Sequence, residues 1–201
     1  MKNKKLKAVL SVTGYFLLLI AICVAGAFVF HSSYYELIYV SGSSMYPNLN
    51  GSDDEANGTV VDFGIVDGHQ TAINHIKRFD IVSTYYPSDY KEDGKLKIDA
   101  KKKIKRVIGM PGDTFTIKDG LLSVLKGDGY VSVPYTFKVA DTKVKDIEAK
   151  HLADNEYWLL GDNRTNSNDC GAFNAPVLKN QIAGVLVAIE GTAQLKLKNY
   201  R

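Results

Sequence analysis

One stretch constrains this chain more than any other. After Lys7 no charged residue occurs until Glu36, and the run from Ala8 to Phe30 is almost wholly apolar. As a helix at ~1.5 Å per residue it spans roughly 35 Å, enough to cross a hydrocarbon core of about 30 Å with some tilt. A buried core helix would be shorter and would carry a polar face. A cleavable signal peptide is the closer rival, because Ala25-Gly26-Ala27 has the small-x-small form of a cleavage site. Its apolar core, however, runs only ~7–15 residues. The stretch therefore reads as a retained anchor, with 1–7 as a cytoplasmic tail and 8–30 as the span. Lys2, Lys4, Lys5 and Lys7 precede it, and no Lys or Arg follows until Lys77. That bias puts the N-terminus in the cytoplasm and residues 31–201 on the extracytoplasmic face of a cell membrane, with the lipid bilayer as a partner.

About 170 residues follow the span, enough for one domain with a real core. The net charge is only +3, so no nucleic-acid partner is expected. The two cysteines are Cys23, inside the span, and Cys170, beyond it; with that placement no disulfide between them is expected. Cys170 has no histidine near it in sequence and reads as a packing residue. His31, His69, His75 and His151 are scattered without metal-ligand spacing, so neither a metal nor a cofactor is expected.

The part beyond the span reads as mainly β. Ile81–Tyr86 is β-branched and aromatic and stops at Pro87; Ile104–Met110 stops at Pro111-Gly112-Asp113. Thr114–Ile117 meets Asp119-Gly120, a hairpin signal, before Leu121–Leu125. Tyr157–Leu160 and Ile182–Ile189 complete the strands, while Val144–Leu152 reads as a short helix and Ala175–Ile182 as a helical turn or two. Many short strands between Gly, Pro, Asn and Asp predict a β-barrel or sandwich-like domain. Asn50–Asn57 is acidic and polar and reads as a mobile loop.

Three segments carry chemistry. Ser41–Leu49 holds Gly42, hydroxyl residues and Pro47, so the chain turns here and can present a serine oxygen to a carbonyl. Lys101-Lys102-Lys103 with Lys105 and Arg106 is a cationic run whose plainest reading is a solvated strand edge. Lys105 alone adjoins apolar residues on both sides, Ile104 and then Val107–Met110 beyond Arg106. Alternation does not prove its burial, because Lys103, Lys105 and Val107 share one face and Ile104, Arg106 and Ile108 the other. Where a lysine is buried, desolvation lowers its pKa from ~10.4 toward neutrality and makes the amine a base. The third segment, Gly161-Asp162-Asn163-Arg164-Thr165-Asn166-Ser167-Asn168-Asp169, is by itself an ordinary Asn/Gly/Asp loop.

Together these segments resemble the bacterial type I signal peptidases. Ser44-Met45-Tyr46-Pro47-Asn48-Leu49 matches the family's Ser-Met-x-Pro-Thr-Leu with Asn48 in place of Thr. Lys105-Arg106-Val107-Ile108-Gly109-Met110-Pro111-Gly112-Asp113 fits Lys-Arg-x-x-Gly-x-Pro-Gly-Asp at every fixed position. The resemblance implies a membrane-anchored serine endopeptidase that removes signal peptides from exported preproteins, without cofactor or metal. It makes Ser44 the nucleophile, with its N–H in the oxyanion hole beside the adjacent Met45, and Lys105 the general base. Ser167 is expected to orient the lysine amine, and an Asp162–Arg106 ion pair to support its strand.

The match has departures. Gly42 stands where some members add a serine hydroxyl to the oxyanion hole. Asp169-Cys170-Gly171-Ala172-Phe173-Asn174 replaces Asp-Ser-Arg-x-Phe-Gly, so Asp169 lacks its usual arginine and needs another donor. Arg78-Phe79-Asp80-Ile81-Val82 stands for Arg-Gly-Asp-Ile-Val. A self-cleaving repressor-type Ser/Lys protease would share the dyad but carry a DNA-binding region where this chain has a span. A eukaryotic-type signal peptidase would have histidine where Lys105 stands. The alternative of another class is a non-catalytic, membrane-tethered binding module on the same fold, for which the departures around Asp169–Asn174 speak.

Overall fold

The computed structural model describes residues 2–49, 62–140 and 146–190; the Asn50–Asn57 loop expectation lies outside them. The chain divides into two units, Met1–Tyr35 and Glu36–Arg201. The first is helix α1 (Lys2–Ser32). Within it Thr13–Ser32 is long and apolar enough to cross a membrane, and its side chains are exposed throughout. A helix that is apolar on every side buries its surface only in lipid or a large core. Residues 2–7, expected as a tail, continue the helix. At the other end the Ser32 and Ser33 hydroxyls donate to the carbonyls of Val29 and Phe30 at 3.0 and 2.7 Å, satisfying backbone acceptors of the last turn.

The second unit is mainly β, as expected. A seven-stranded sheet contains β1 (Tyr35–Tyr39), β2 (Phe63–Asp67), β3 (Ile81–Thr84) and β4 (Lys103–Gly109). A smaller sheet contains β5 (Thr114–Lys118), β6 (Leu121–Lys126), β7 (Gly129–Ser132) and β8 (Ile147–His151). The chain then returns to the large sheet with β9 (Glu156–Leu160), β10 (Val177–Leu178) and β11 (Ile182–Glu190). The orders are β1-β2-β11-β3-β4-β9-β10 and β7-β6-β5-β8. Short helices α2 (Gln70–Asn74) and α3 (Cys170–Phe173) lie in the connections.

One core cluster joins the two sheets: Val82, Val107, Ile108 and Leu159 of the large sheet pack with Phe115, Ile117, Leu122 and Val124 of the small one. The Phe115 and Trp158 rings meet at 5.7 Å across it. A second cluster, Val40, Met45, Leu49, Val66, Ile81, Leu186 and Ile189, lies under the serine segment. Met45 and Leu49, at 1% and 0% exposure, are its pins. Burying two such side chains contributes roughly 1.5–3 kcal/mol each, which ties the serine segment to the sheet from below.

Three expectations change. The Val144–Leu152 stretch is not helical where it is described: β8 pairs antiparallel with β5, Ile147 facing Ile117. Glu148, Ala149 and Lys150 favour a helix, but sheet pairing of their backbone overrides that weak preference. Ala175–Ile182 holds β10 and a 3₁₀ turn at Lys179–Gln181 rather than α-helix. The cationic run is not at a sheet edge: β4 lies between β3 and β9, with Lys105 opposite Val82 and Val107 opposite Leu159. Both faces of β4 are covered from Lys105 onward, which is why its alternation was unreadable.

Candidate active site

The serine segment is a series of tight turns. Tyr46 N–H donates to Ser43 O at 3.0 Å, and the N–H groups of Asn48 and Leu49 both donate to Met45 O, at 3.0 and 2.9 Å. Gly42 enters it at φ 79°, a conformation that glycine adopts without steric cost. The serine that the resembled pattern sometimes places there would be strained in this backbone.

Ser44 and Lys105 come together. Lys105 Nζ lies 2.8 Å from Ser44 Oγ and 2.9 Å from the carbonyl oxygen of Ile104. The residue is 4% exposed and, among the described residues, has no carboxylate within ion-pair distance. Burial pushes its amine down from 10.5 to about 8; Asp169 and Asp162 pull the other way, and Lys103 adds to the lowering. Desolvation outweighs the carboxylates because the latter act from beyond contact and one of them is already neutralised by an arginine.

That arginine is Arg106. Its Nε donates to Asp162 Oδ1 at 2.7 Å, its Nη2 to Asp162 Oδ2, and its Nη1 to Phe79 O at 2.9 Å. The pair is fully buried, and the guanidinium lies 4.0 Å from the Phe137 ring centroid. Phe79, where the resembled pattern has glycine, sits at φ 76°. Such a backbone costs a bulky residue roughly 1–3 kcal/mol. Edge-on ring contacts to Tyr135 at 5.9 Å and to Phe137 at 5.4 Å oppose that cost and brace the Phe137 ring that lies over Arg106.

The third segment holds the first. Asn163 N–H donates to Ser44 O at 3.0 Å, Asn163 Nδ2 to Ser43 O at 3.2 Å, and Asn166 Nδ2 to Ser43 Oγ at 2.7 Å. Sequence reasoning gave these two asparagines no role. Their signal is an amide side chain in a turn-rich loop, visible only once two segments about 120 residues apart meet. Gly161 is required by this approach: a Cβ there would come within 2.4 Å of both Ser44 O and Ser167 Oγ.

Ser167 is placed beside the serine segment but does not hydrogen-bond the lysine; its buried Oγ has no hydrogen-bond partner in this structure. The lysine amine donates instead to the carbonyl oxygen of Ile104. Asp169 finds donors in place of the missing arginine: Gly161 N–H at 2.8 Å and Gly171 N–H at 2.9 Å, while it caps α3. Cys170 is wholly buried beside it and accepts from Leu159 N–H at 3.3 Å. Burial pushes its thiol up to about 12, which removes it as a nucleophile. Arg78 pairs with Asp113 at 2.8 Å and donates to Ile108 O at 2.6 Å, fixing the end of β4. Among the described residues no group of three His, Cys, Asp or Glu side chains could hold a metal ion.

A hydroxyl 2.8 Å from a buried amine of lowered pKa is the arrangement of a nucleophile with its base. The model of the family described as "Signal peptidase, peptidase S26" matches residues 12–189. A signal peptidase I of Bacillus caldolyticus is 32% identical over 177 residues, covering 82% of this chain and 83% of its own. Signal peptidase I S of Bacillus subtilis is 29% identical over 174 residues, covering 82% of each chain. The crystal structure of a signal peptidase I from Enterococcus faecalis V583 matches at 24% identity and a TM-score of 0.41, covering 55% of this chain and 96% of that one. The chain belongs to the signal peptidase family, peptidase S26.

Proposed function

We propose that this protein is a membrane-anchored serine endopeptidase that removes signal peptides from exported preproteins, with Ser44 as nucleophile and Lys105 as general base. The observation that carries this reading is the 2.8 Å contact between Ser44 Oγ and an amine that is buried and, among the described residues, in no ion pair with a carboxylate. In its neutral form Lys105 accepts the hydroxyl proton as Ser44 Oγ attacks the scissile carbonyl. Charge then develops on the carbonyl oxygen, where the Ser44 backbone N–H is the donor on this chain. The lysine ammonium returns its proton to the leaving amine, the C–N bond breaks, and an acyl-Ser44 ester remains. Lys105, neutral again, takes a proton from the water that attacks the ester, and Ser44 Oγ leaves with a proton back.

The Arg106–Asp162 pair and the asparagine contacts serve to keep the two reacting groups in place. Proximity of this kind matters because a 1 Å misplacement can cost about 100-fold. With the N-terminus cytoplasmic, the β unit works on the extracytoplasmic face of a bacterial membrane, where anchored enzyme and anchored substrate share one surface at raised effective concentration. The reading as a non-catalytic tethered module finds no support: the departures around Asp169 are accommodated by two backbone donors.

The test is cleavage of a preprotein with an Ala-x-Ala site by full-length protein in detergent, beside Ser44→Ala and Lys105→Ala. Both variants should lose product while keeping the wild-type circular dichroism. Cleavage surviving Lys105→Ala would show that another group is the base.

A further inference from the structure

Asn48 stands next to the end of the serine segment, and its side chain reaches both Asp162 and the backbone of Lys138. One side-chain nitrogen donates to Asp162 Oδ2 at 2.9 Å and to Lys138 O at 2.6 Å, and its Oδ1 accepts from Lys138 N–H at 3.4 Å. Asp162 is the buried partner of Arg106, and Arg106 is the residue after Lys105. A closed circuit results: Ser44, four residues on to Asn48, across to Asp162, across to Arg106, and one residue back to Lys105.

The chain from Val133 to Ala140 wraps the same circuit. Its Phe137 ring covers the Arg106 guanidinium, its Lys138 backbone takes both ends of the Asn48 amide, and Ala140 N–H donates to Asp162 O at 3.1 Å. An amide suits the contacts made here, because it donates twice and accepts once within one short group, where the threonine of the resembled pattern could donate only once. Aspartate has the same shape but donates nothing and would oppose Asp162; leucine has similar volume and no polar atoms.

We propose that Asn48 is a positioning residue that holds Ser44 at reacting distance from Lys105 by way of Asp162 and Arg106. This rests on the peptidase reading above. Loss of the amide frees the end of the serine segment to shift against β4, so the rate of the chemical step falls while substrate binding is unaffected.

The experiment compares full-length wild type, Asn48→Asp, Asn48→Leu, Asp162→Asn and the double variant Asn48→Leu/Asp162→Asn, with kcat and KM measured on one Ala-x-Ala preprotein. Both Asn48 variants should lower kcat about 10- to 100-fold with KM within about twofold. The double variant should lose little more than the worse single one, because both act through one contact. Unchanged kcat in a folded Asn48→Asp or Asn48→Leu variant would overturn the proposal, as would KM rising in step or fully additive losses. Asn48→Asp keeps volume and serves where Asn48→Leu does not fold. Wild type that cleaves nothing would overturn the peptidase reading, and this one with it.

Discussion

Lys103 and Lys105 stand two residues apart on one side of β4, and the protein makes opposite use of them. Lys103 ends in an ion pair with Asp89, at 2.5 Å, with about a third of its side chain in solvent. Lys105 is 4% exposed and meets a hydroxyl and a carbonyl instead of a carboxylate. Arg106, one residue on, is as buried as Lys105 but fully paired with Asp162. Burial alone therefore does not make a base. What distinguishes Lys105 is burial without a contacting countercharge among the described residues, so that desolvation is left to lower its pKa.

The sharpest way to break this comparison is to delete each cation in turn, with the serine that Lys105 contacts as the reference. Ser44→Ala and Lys105→Ala should each lower kcat on a preprotein by ~10³-fold or more, within the range for loss of a nucleophile or its base. Arg106→Met comes next. It strands Asp162 in the core and should destabilise the fold by about 3–5 kcal/mol in a denaturant titration.

Lys105→Met should do the reverse at neutral pH. The lysine sits at about 8 when folded and returns to about 10.5 when unfolded, so the unfolded chain binds the extra proton between those values. Stability of the wild type therefore rises with pH across that window, and below about pH 8 it carries the whole cost of a buried ammonium. Lys105→Met should be more stable than wild type by roughly 3 kcal/mol at pH 7, the gain fading toward pH 10.5. A stability difference that is flat with pH would mean the amine is already solvated.

The smallest effect belongs to Lys103→Ala. A partly exposed pair of this kind contributes about 0–1 kcal/mol, so folding and rate should change little. Because Lys103 helps to lower Lys105, the midpoint of the pH–rate curve should move slightly upward. A fall in kcat comparable to that of Lys105→Ala would erase the distinction between the two lysines.

The sequence carried this contrast only in part. Strands rich in β-branched residues and stopped by Pro or Gly were readable, including β3, the β5–β6 hairpin and β11. β8 was not, because Glu148, Ala149 and Lys150 favour a helix in isolation and only the partner strand β5 decides otherwise. Period two puts Lys103 and Lys105 on the same face, so spacing could not choose between them; the motif resemblance did. The Arg106–Asp162 pair was foreseen from the same motifs. The asparagine contacts of Asn48, Asn163 and Asn166 were not, since a polar residue in a loop has no sequence mark of the segment it will meet. Ser167 lies near the serine segment, as the motif places it, but its hydroxyl makes no hydrogen bond to the lysine among the described residues.

The most direct measurement is the pH dependence of kcat for wild-type preprotein cleavage, from about pH 6 to 10. A neutral amine as base predicts a rate that is low in acid and rises through one ionisation with its midpoint at about 8. A rate that is flat across that range, or that rises only near the ordinary lysine value, would contradict Lys105 as the base.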